Sequence, residues 1–156
     1  MNVLIVLDDP TKKLAEAIAE GVREIGHQAV LQPASNNPDP AGFDFVFLGG
    51  RQGKTFSAKS YAEKRDWKGK KVAVFGVKNG KTADDGTALL RTKGADVEKN
   101  TFFAKLQGPF AFLGKGSFAG EDLIRARGFG ERTLNQAFDL KIQKQNGKTR
   151  IQGYIK

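Results

Sequence analysis

The chain has 156 residues and a formal net charge of +9, from 26 Lys and Arg against 17 Asp and Glu. That length suits one compact domain that buries its core without a metal or disulfide staple. With no cysteine and a single histidine, His27, disulfide frameworks, thiolate zinc sites, cysteine-ligated iron–sulfur clusters, cysteine nucleophiles and multi-histidine metal sites are excluded, and no metal site is expected. The N-terminal apolar run has no basic lead and is cut off at Asp8, so it does not read as a signal peptide. No apolar run approaches the ~20 residues of a membrane span. A cytoplasmic protein with no membrane partner is expected.

In chain order, residues 3–7 form an unbroken apolar run, as a parallel strand covered on both faces should. Asp9-Pro10 supplies an N-cap and a proline at the first helical position. Leu14, Ile18, Val22 and Ile25 then recur at helical spacing, and Gly26 stands where a helix-ending glycine belongs. His27, just beyond it, reads as a surface residue. A second strand spans 28–32. Residues 33–42 hold three prolines and two asparagines and make a loop too short for a crossover helix. Strands three and four are 43–48 and 72–75, with a short helix over 57–67 between them. A helix over 85–93 is closed by Gly94, and a less regular fifth strand covers 97–103.

The stretch that follows carries Phe110, Phe112 and Phe118, expected with Phe102 and Phe103 to pack in the core. The last helix runs from 121 to about 137, with Leu123, Ala126, Leu134 and Ala137 on its apolar face and Glu121-Asp122 as first-turn charge. Residues 140–145, Asn146-Gly147 and 148–151 then have the pattern of a β-hairpin with a two-residue turn, in which Ile142 faces Ile151. Strands alternating with helices mean an α/β fold with a parallel sheet. Two units are expected: a domain at 1–139 and a basic hairpin extension at 140–156.

The ordered set of segments resembles the flavodoxin-like family over roughly residues 1–138. The likeness lies in Val3-Leu4-Ile5-Val6 followed by Leu14-Ala15-Glu16-Ala17-Ile18-Ala19-Glu20-Gly21, and then in Asp44-Phe45-Val46-Phe47-Leu48-Gly49. It continues in Lys70-Lys71-Val72-Ala73-Val74-Phe75-Gly76 and closes in Gly120-Glu121-Asp122-Leu123-Ile124-Arg125-Ala126-Arg127-Gly128-Phe129-Gly130. The resemblance implies a doubly wound five-stranded parallel sheet of order 2-1-3-4-5, with ligand at the carboxyl ends of strands 1, 3 and 4.

It also implies FMN, whose phosphate the family wraps in a Ser/Thr-rich, glycine-containing loop between the first strand and first helix. Here that connection is only Asp8-Asp9-Pro10-Thr11, about three residues shorter, with no glycine, one hydroxyl and two carboxylates. Two carboxylates within ~5 Å of a phosphate oppose it by about 1–3 kcal/mol each, against roughly 1 kcal/mol returned by the helix dipole. The loop after strand 4 has no aromatic residue for a flavin ring. Near the loop after strand 3, Phe56, Tyr61 and Trp67 read as helix-to-sheet packing residues.

Charge is uneven along the chain. Residues 51–81 hold ten basic and two acidic residues, and 140–156 hold five basic and none acidic. The basic segment contains two copies of one pattern, Gly49-Gly50-Arg51-Gln52-Gly53-Lys54-Thr55 and Gly76-Val77-Lys78-Asn79-Gly80-Lys81-Thr82, each one residue short of a P-loop. Such a turn can be an ordinary solvated edge, as Asn146-Gly147-Lys148-Thr149 illustrates. With the implied strand order, however, the two loops lie side by side, and Arg51, Lys54, Lys78 and Lys81 converge beside open glycine backbone.

The leading expectation is a divergent flavodoxin-like binding protein with a degenerate FMN site and no cofactor. It would hold an anionic small molecule or an acidic partner protein at Gly50, Arg51, Gly53, Lys54, Thr55, Lys78, Gly80, Lys81 and Thr82. The alternative is an FMN-binding electron-transfer protein, with Thr11, Lys12, Gly49 and Gly76 on the cofactor. Nucleic-acid binding comes third, on charge alone without a motif. No triad or carboxylate pair emerges, so no catalytic residue is expected and a non-enzyme is favoured. The hairpin would offer a second contact or an oligomer interface.

Overall fold

The computed structural model describes residues 1–78, 84–113 and 115–143, with backbone alone at 112 and 139–143. Ten elements follow in order: β1 (Asn2–Leu7), α1 (Lys12–Glu24), β2 (Gln28–Pro33), β3 (Phe45–Arg51), α2 (Lys59–Glu63), β4 (Lys71–Val77), α3 (Thr87–Thr92), β5 (Asp96–Val97), β6 (Phe102–Ala104) and α4 (Gly120–Gln143). All strand pairs are parallel, in the order β2-β1-β3-β4-β5, and β6 also pairs with β4. The order is the one the resemblance implies. Between β2 and β3 the chain makes two 3-10 turns, Ala34–Asn36 and Pro40–Gly42, and no α-helix, as the prolines require.

The period of two along the central strands sorts their side chains into two layers. Val3, Ile5, Phe45, Phe47, Ala73 and Phe75 face α1 and α4, where they meet Leu14, Ile18, Val22, Ala126, Phe129 and Leu134. Leu4, Val6, Val46, Leu48, Val72 and Val74 face the opposite way, onto Phe56, Tyr61, Trp67 and Leu90. Phe56, Tyr61 and Trp67 are therefore the packing residues expected of them. Gly26 ends α1 at φ +89°, a conformation that costs glycine little.

Four expectations change. The cap at the start of the first helical segment is Asp8 and not Asp9, because a 3-10 turn, Asp9–Thr11, precedes α1. The fifth strand is split: Val72 pairs with Val97 and Phe75 with Phe102, so two residues of β4 face four of its partner, 98–101. Glu98 lies at this step with its carboxyl pushed up by burial and by Asp96, Lys71 opposing.

His27 is half-buried rather than a surface residue, its Nδ1 3.1 Å from the N-terminal ammonium. Burial and that charge lower its pKa, against Asp44. Finally, α4 continues to Gln143, so Leu140, Lys141, Ile142 and Gln143, expected as the first hairpin strand beyond a boundary at 139, are helical. Leu, Lys and Gln are strong helix formers, and the first breaker in this stretch is Asn146-Gly147. The rest of the expected hairpin, 144–156, lies outside the described residues.

Tyr61 gives the fold an alkaline limit. Its hydroxyl donates to the Pro38 carbonyl oxygen at 2.6 Å, and burial pushes the phenol up to about 12, with Arg65 opposing. An unfolded tyrosine ionises near ~10, so this contribution is complete below that pH and is lost as pH rises from about 10 toward about 12. Phenolate absorbance should show a late titration step, and Tyr61→Phe should remove it.

Candidate functional site

Two aspartates tie the carboxyl ends of β1 and β3 and the segment before α3 together. After Leu7, the Asp8 N–H donates to Thr11 Oγ1 at 2.9 Å, the Thr11 N–H donates to Asp8 Oδ1 at 3.2 Å, and the Thr11 hydroxyl donates to the Asp8 carbonyl oxygen at 3.1 Å. This reciprocal cap closes the turn on itself. The other carboxylate oxygen of Asp8 accepts from Ser57 Oγ at 3.3 Å, and Ser57 Oγ accepts the Arg51 N–H at 2.6 Å. Ser57 N–H donates to the Arg51 carbonyl oxygen, so residues 51–57 form a loop pinned at both ends.

Asp84 secures the other side. Its carboxylate accepts from the Phe56 N–H at 3.1 Å and the Gly86 N–H at 3.0 Å, and its backbone bridges to Gly53 in antiparallel fashion. The bridge brings the first Gly-Lys-Thr loop against the chain segment that follows the second. Asp84 and Ser57 are not among the residues the sequence singles out. Asp84-Asp85-Gly86 before a helix is a turn signature that could have marked the first.

The phosphate end of an FMN site does not fit here. Thr11 is completely buried and its hydroxyl serves the turn; Pro10 has no N–H; and the Asp8 carboxylate occupies the capping position an anion would take. Lys12 is exposed at the first residue of α1. The aromatic residues near the loop after β3 are committed to packing. Phe56, Tyr61 and Trp67 are at most 6% exposed, packed in the core layer on the α2 side of the sheet.

The glycines at the strand ends are already filled by the chain's own rings. A Cβ at Gly49 would strike the Phe75 ring and, at 2.8 Å, the Val6 carbonyl oxygen, and one at Gly50 would come within 2.6 Å of the Phe56 ring. At Gly76 it would overlap the Gly50 carbonyl oxygen. Gly49, Gly50 and Gly76 are thus required by close packing between adjacent strands.

Of the remaining candidates, Arg51, Gly53 and Thr55 line a shallow depression of about 540 Å³ beside β3 and α2, together with Ser57, Lys59 and Ser60, and with Glu63 also on its wall. Among the described residues, neither Arg51 nor Lys59 is in an ion pair. Lys54 is exposed between the lining residues Gly53 and Thr55, and exposed Lys78 follows Val77, whose carbonyl oxygen accepts the Gln52 N–H. Gly80, Lys81 and Thr82 lie outside the described residues. Lys59 and Ser60 escape a reading of the sequence because they stand outside the Gly-Lys-Thr pattern. No group of three or more potential metal ligands is present among the described residues, and no helix there is long and apolar enough to cross a membrane.

No protein-family model and no curated protein sequence matches the chain. Solved structures do. A flavodoxin from the domain Archaea aligns with a TM-score of 0.68 and 14% identity, over 87% of this chain and 98% of its own. Flavodoxin 1 of Bacillus cereus aligns at 0.64 and 19%, over 86% and 98%. A Fusobacterium nucleatum flavodoxin bound to flavin mononucleotide aligns at 0.56 and 12%, over 88% and 97%. The fold is flavodoxin-like, and the identities are those of a divergent sequence.

Proposed function

We propose that this flavodoxin-like chain is a binding protein that holds an anion, as a free small molecule or as an acidic group of a partner protein, at the edge of β3. The observation that carries the reading is the depression whose lining brings together Arg51, Lys59 and the hydroxyl of Ser60. Two cations and a hydroxyl suit phosphate or carboxylate oxygens. Glu63 limits how much negative charge the site takes. Lys54 and Lys78, both exposed nearby, add a longer-range attraction that salt screens.

Calorimetric titration with inorganic pyrophosphate at low salt tests this. Each charge-assisted contact contributes about 1.5 kcal/mol, so Arg51→Ala with Lys59→Ala should weaken binding about 100-fold. Equal affinity in the double variant, or no pyrophosphate binding by the parent protein, contradicts the proposal. A second reading, an FMN-binding electron-transfer protein, is favoured by the full-length likeness to flavodoxins, one of them solved with flavin mononucleotide. It would need the turn at 8–11 to open and Lys12 to face the phosphate.

A further inference from the structure

The segment between β6 and α4 departs from the expected core packing. Phe102, Phe103 and Phe118 do pack against the two core layers, but Phe110 is 59% exposed and Leu113 is 56% exposed. Both sit on a compact excursion closed at its base by reciprocal hydrogen bonds, Gln107 N–H to the Ser117 carbonyl oxygen at 2.8 Å and Ser117 N–H to that of Gln107 at 3.1 Å. The tip is a 3-10 turn, Ala111–Leu113, with the N–H groups of Leu113 and Lys115 both donating to the Phe110 carbonyl oxygen. A closed base and a bonded tip hold the two apolar side chains out in water, where single exposed apolar residues are common but a bonded pair on one projection is not.

The surroundings are basic. From 99 to 120 the sequence has Lys99, Lys105 and Lys115 and no Asp or Glu, and all three lysines are exposed. Lys78, exposed at the end of β4, donates its N–H to the Ala104 carbonyl oxygen, immediately before Lys105.

We propose that this loop docks the protein on an anionic lipid surface. Phe110 and Leu113 enter the boundary between headgroups and acyl chains, and Lys105 and Lys115 lie against lipid phosphates and carboxylates. A projecting tip needs no receptor cavity in such a layer, and lysines beside it match its charge, which favours lipid over an acidic protein surface. The expectation of no membrane partner rests on the lack of a spanning segment, and a surface contact requires none. This inference is independent of the anion site at Arg51 and Lys59.

Sedimentation of the full chain with vesicles tests it. Vesicles of phosphatidylserine in phosphatidylcholine, at about 1:3, should carry the protein down, and pure phosphatidylcholine should carry at least about tenfold less. Phe110→Ser with Leu113→Ser should lower binding to the anionic vesicles about tenfold or more, and Lys105→Glu with Lys115→Glu should weaken it as well. These side chains are exposed, so unfolding curves of the variants should match the parent's. Phe110→Trp should add a tryptophan whose emission moves to the blue on anionic vesicles. Full binding by the serine variant would assign the attraction to other basic segments and overturn the proposal. So would no sedimentation of the parent, an unshifted Phe110→Trp, or binding to an acidic protein without affinity for vesicles.

Discussion

Replacing Gly21 by alanine is expected to lower folding stability by about 3 kcal/mol. Helices α1 and α4 cross with their backbones nearly touching: a Cβ at Gly21 would overlap the Arg127 carbonyl oxygen, and one at Gly130 would stand 2.6 Å from the carbonyl oxygen of Ile18. The two glycines are reciprocal, one on each helix, and the obstacle in both cases is main chain that cannot rotate aside. Relief therefore requires the helices to separate. That would loosen Leu14, Ile18 and Val22 on one helix and Ala126, Phe129 and Leu134 on the other, all within a single buried cluster. The ion pair of Arg127 with Glu24 spans the same contact, but it is exposed and adds little. Urea unfolding should show a lower midpoint at an unchanged slope. Gly42→Ala, with nothing within 4 Å of the new methyl group, is the control and should stay within about 0.5 kcal/mol of the parent. An unchanged midpoint for Gly21→Ala would mean the helices are not held this closely.

Trp67→Ala should cost about 4 kcal/mol. The indole is fully buried under the α2 side of the sheet. Its Nε1–H donates to the Ala62 carbonyl oxygen at 2.7 Å, and its ring meets Tyr61 edge-on at 6.1 Å between centroids. Truncation removes the largest side chain of that layer and the indole hydrogen bond to the Ala62 carbonyl oxygen, and loosens α2, which carries Lys59 and Ser60. Thermal unfolding followed by circular dichroism measures the loss. A cost below about 1 kcal/mol would mean that α2 collapses onto the sheet without the ring, and Trp67→Phe should fall between the two proteins.

Much of this architecture is legible in the amino-acid sequence. The runs in β1, β3 and β4 are apolar on both faces, and α1 repeats its apolar positions until a glycine ends it, so element type and the missing crossover helix follow from local pattern, while the strand order comes from the family resemblance. What local pattern does not carry depends on register and reach. Asp8 and Asp9 are equivalent as sequence, and only the 3-10 turn between Asp8 and α1 decides which one caps. The step between β5 and β6 is invisible without the partner strand, because each half taken alone suits a strand. Residues 140–143 satisfy both strand alternation and helix propensity, and continuity with α4 decides the outcome.

At the site, the repeated Gly-Lys-Thr pattern draws attention to Lys54 and Lys81. The depression instead joins Arg51 to Lys59 and Ser60, which come from the helix that folds back over the loop. The space beside Gly49 and Gly50 is filled by Phe75 and Phe56, whose positions depend on packing across two strands.

In the function proposed here, a self-capped turn stands where flavodoxin-like proteins hold the FMN phosphate, and the anion is taken at the neighbouring strand. The visible absorption spectrum of the purified protein, after incubation with excess FMN and desalting, decides between this and a flavin carrier when read beside Asp8→Ser. The parent should retain no flavin absorbance, because Thr11 is buried and bonded within the turn and the Asp8 carboxylate holds the cap. A parent protein that remains yellow through desalting, with bands shifted from those of free FMN, would contradict it and make electron transfer through FMN the function to pursue.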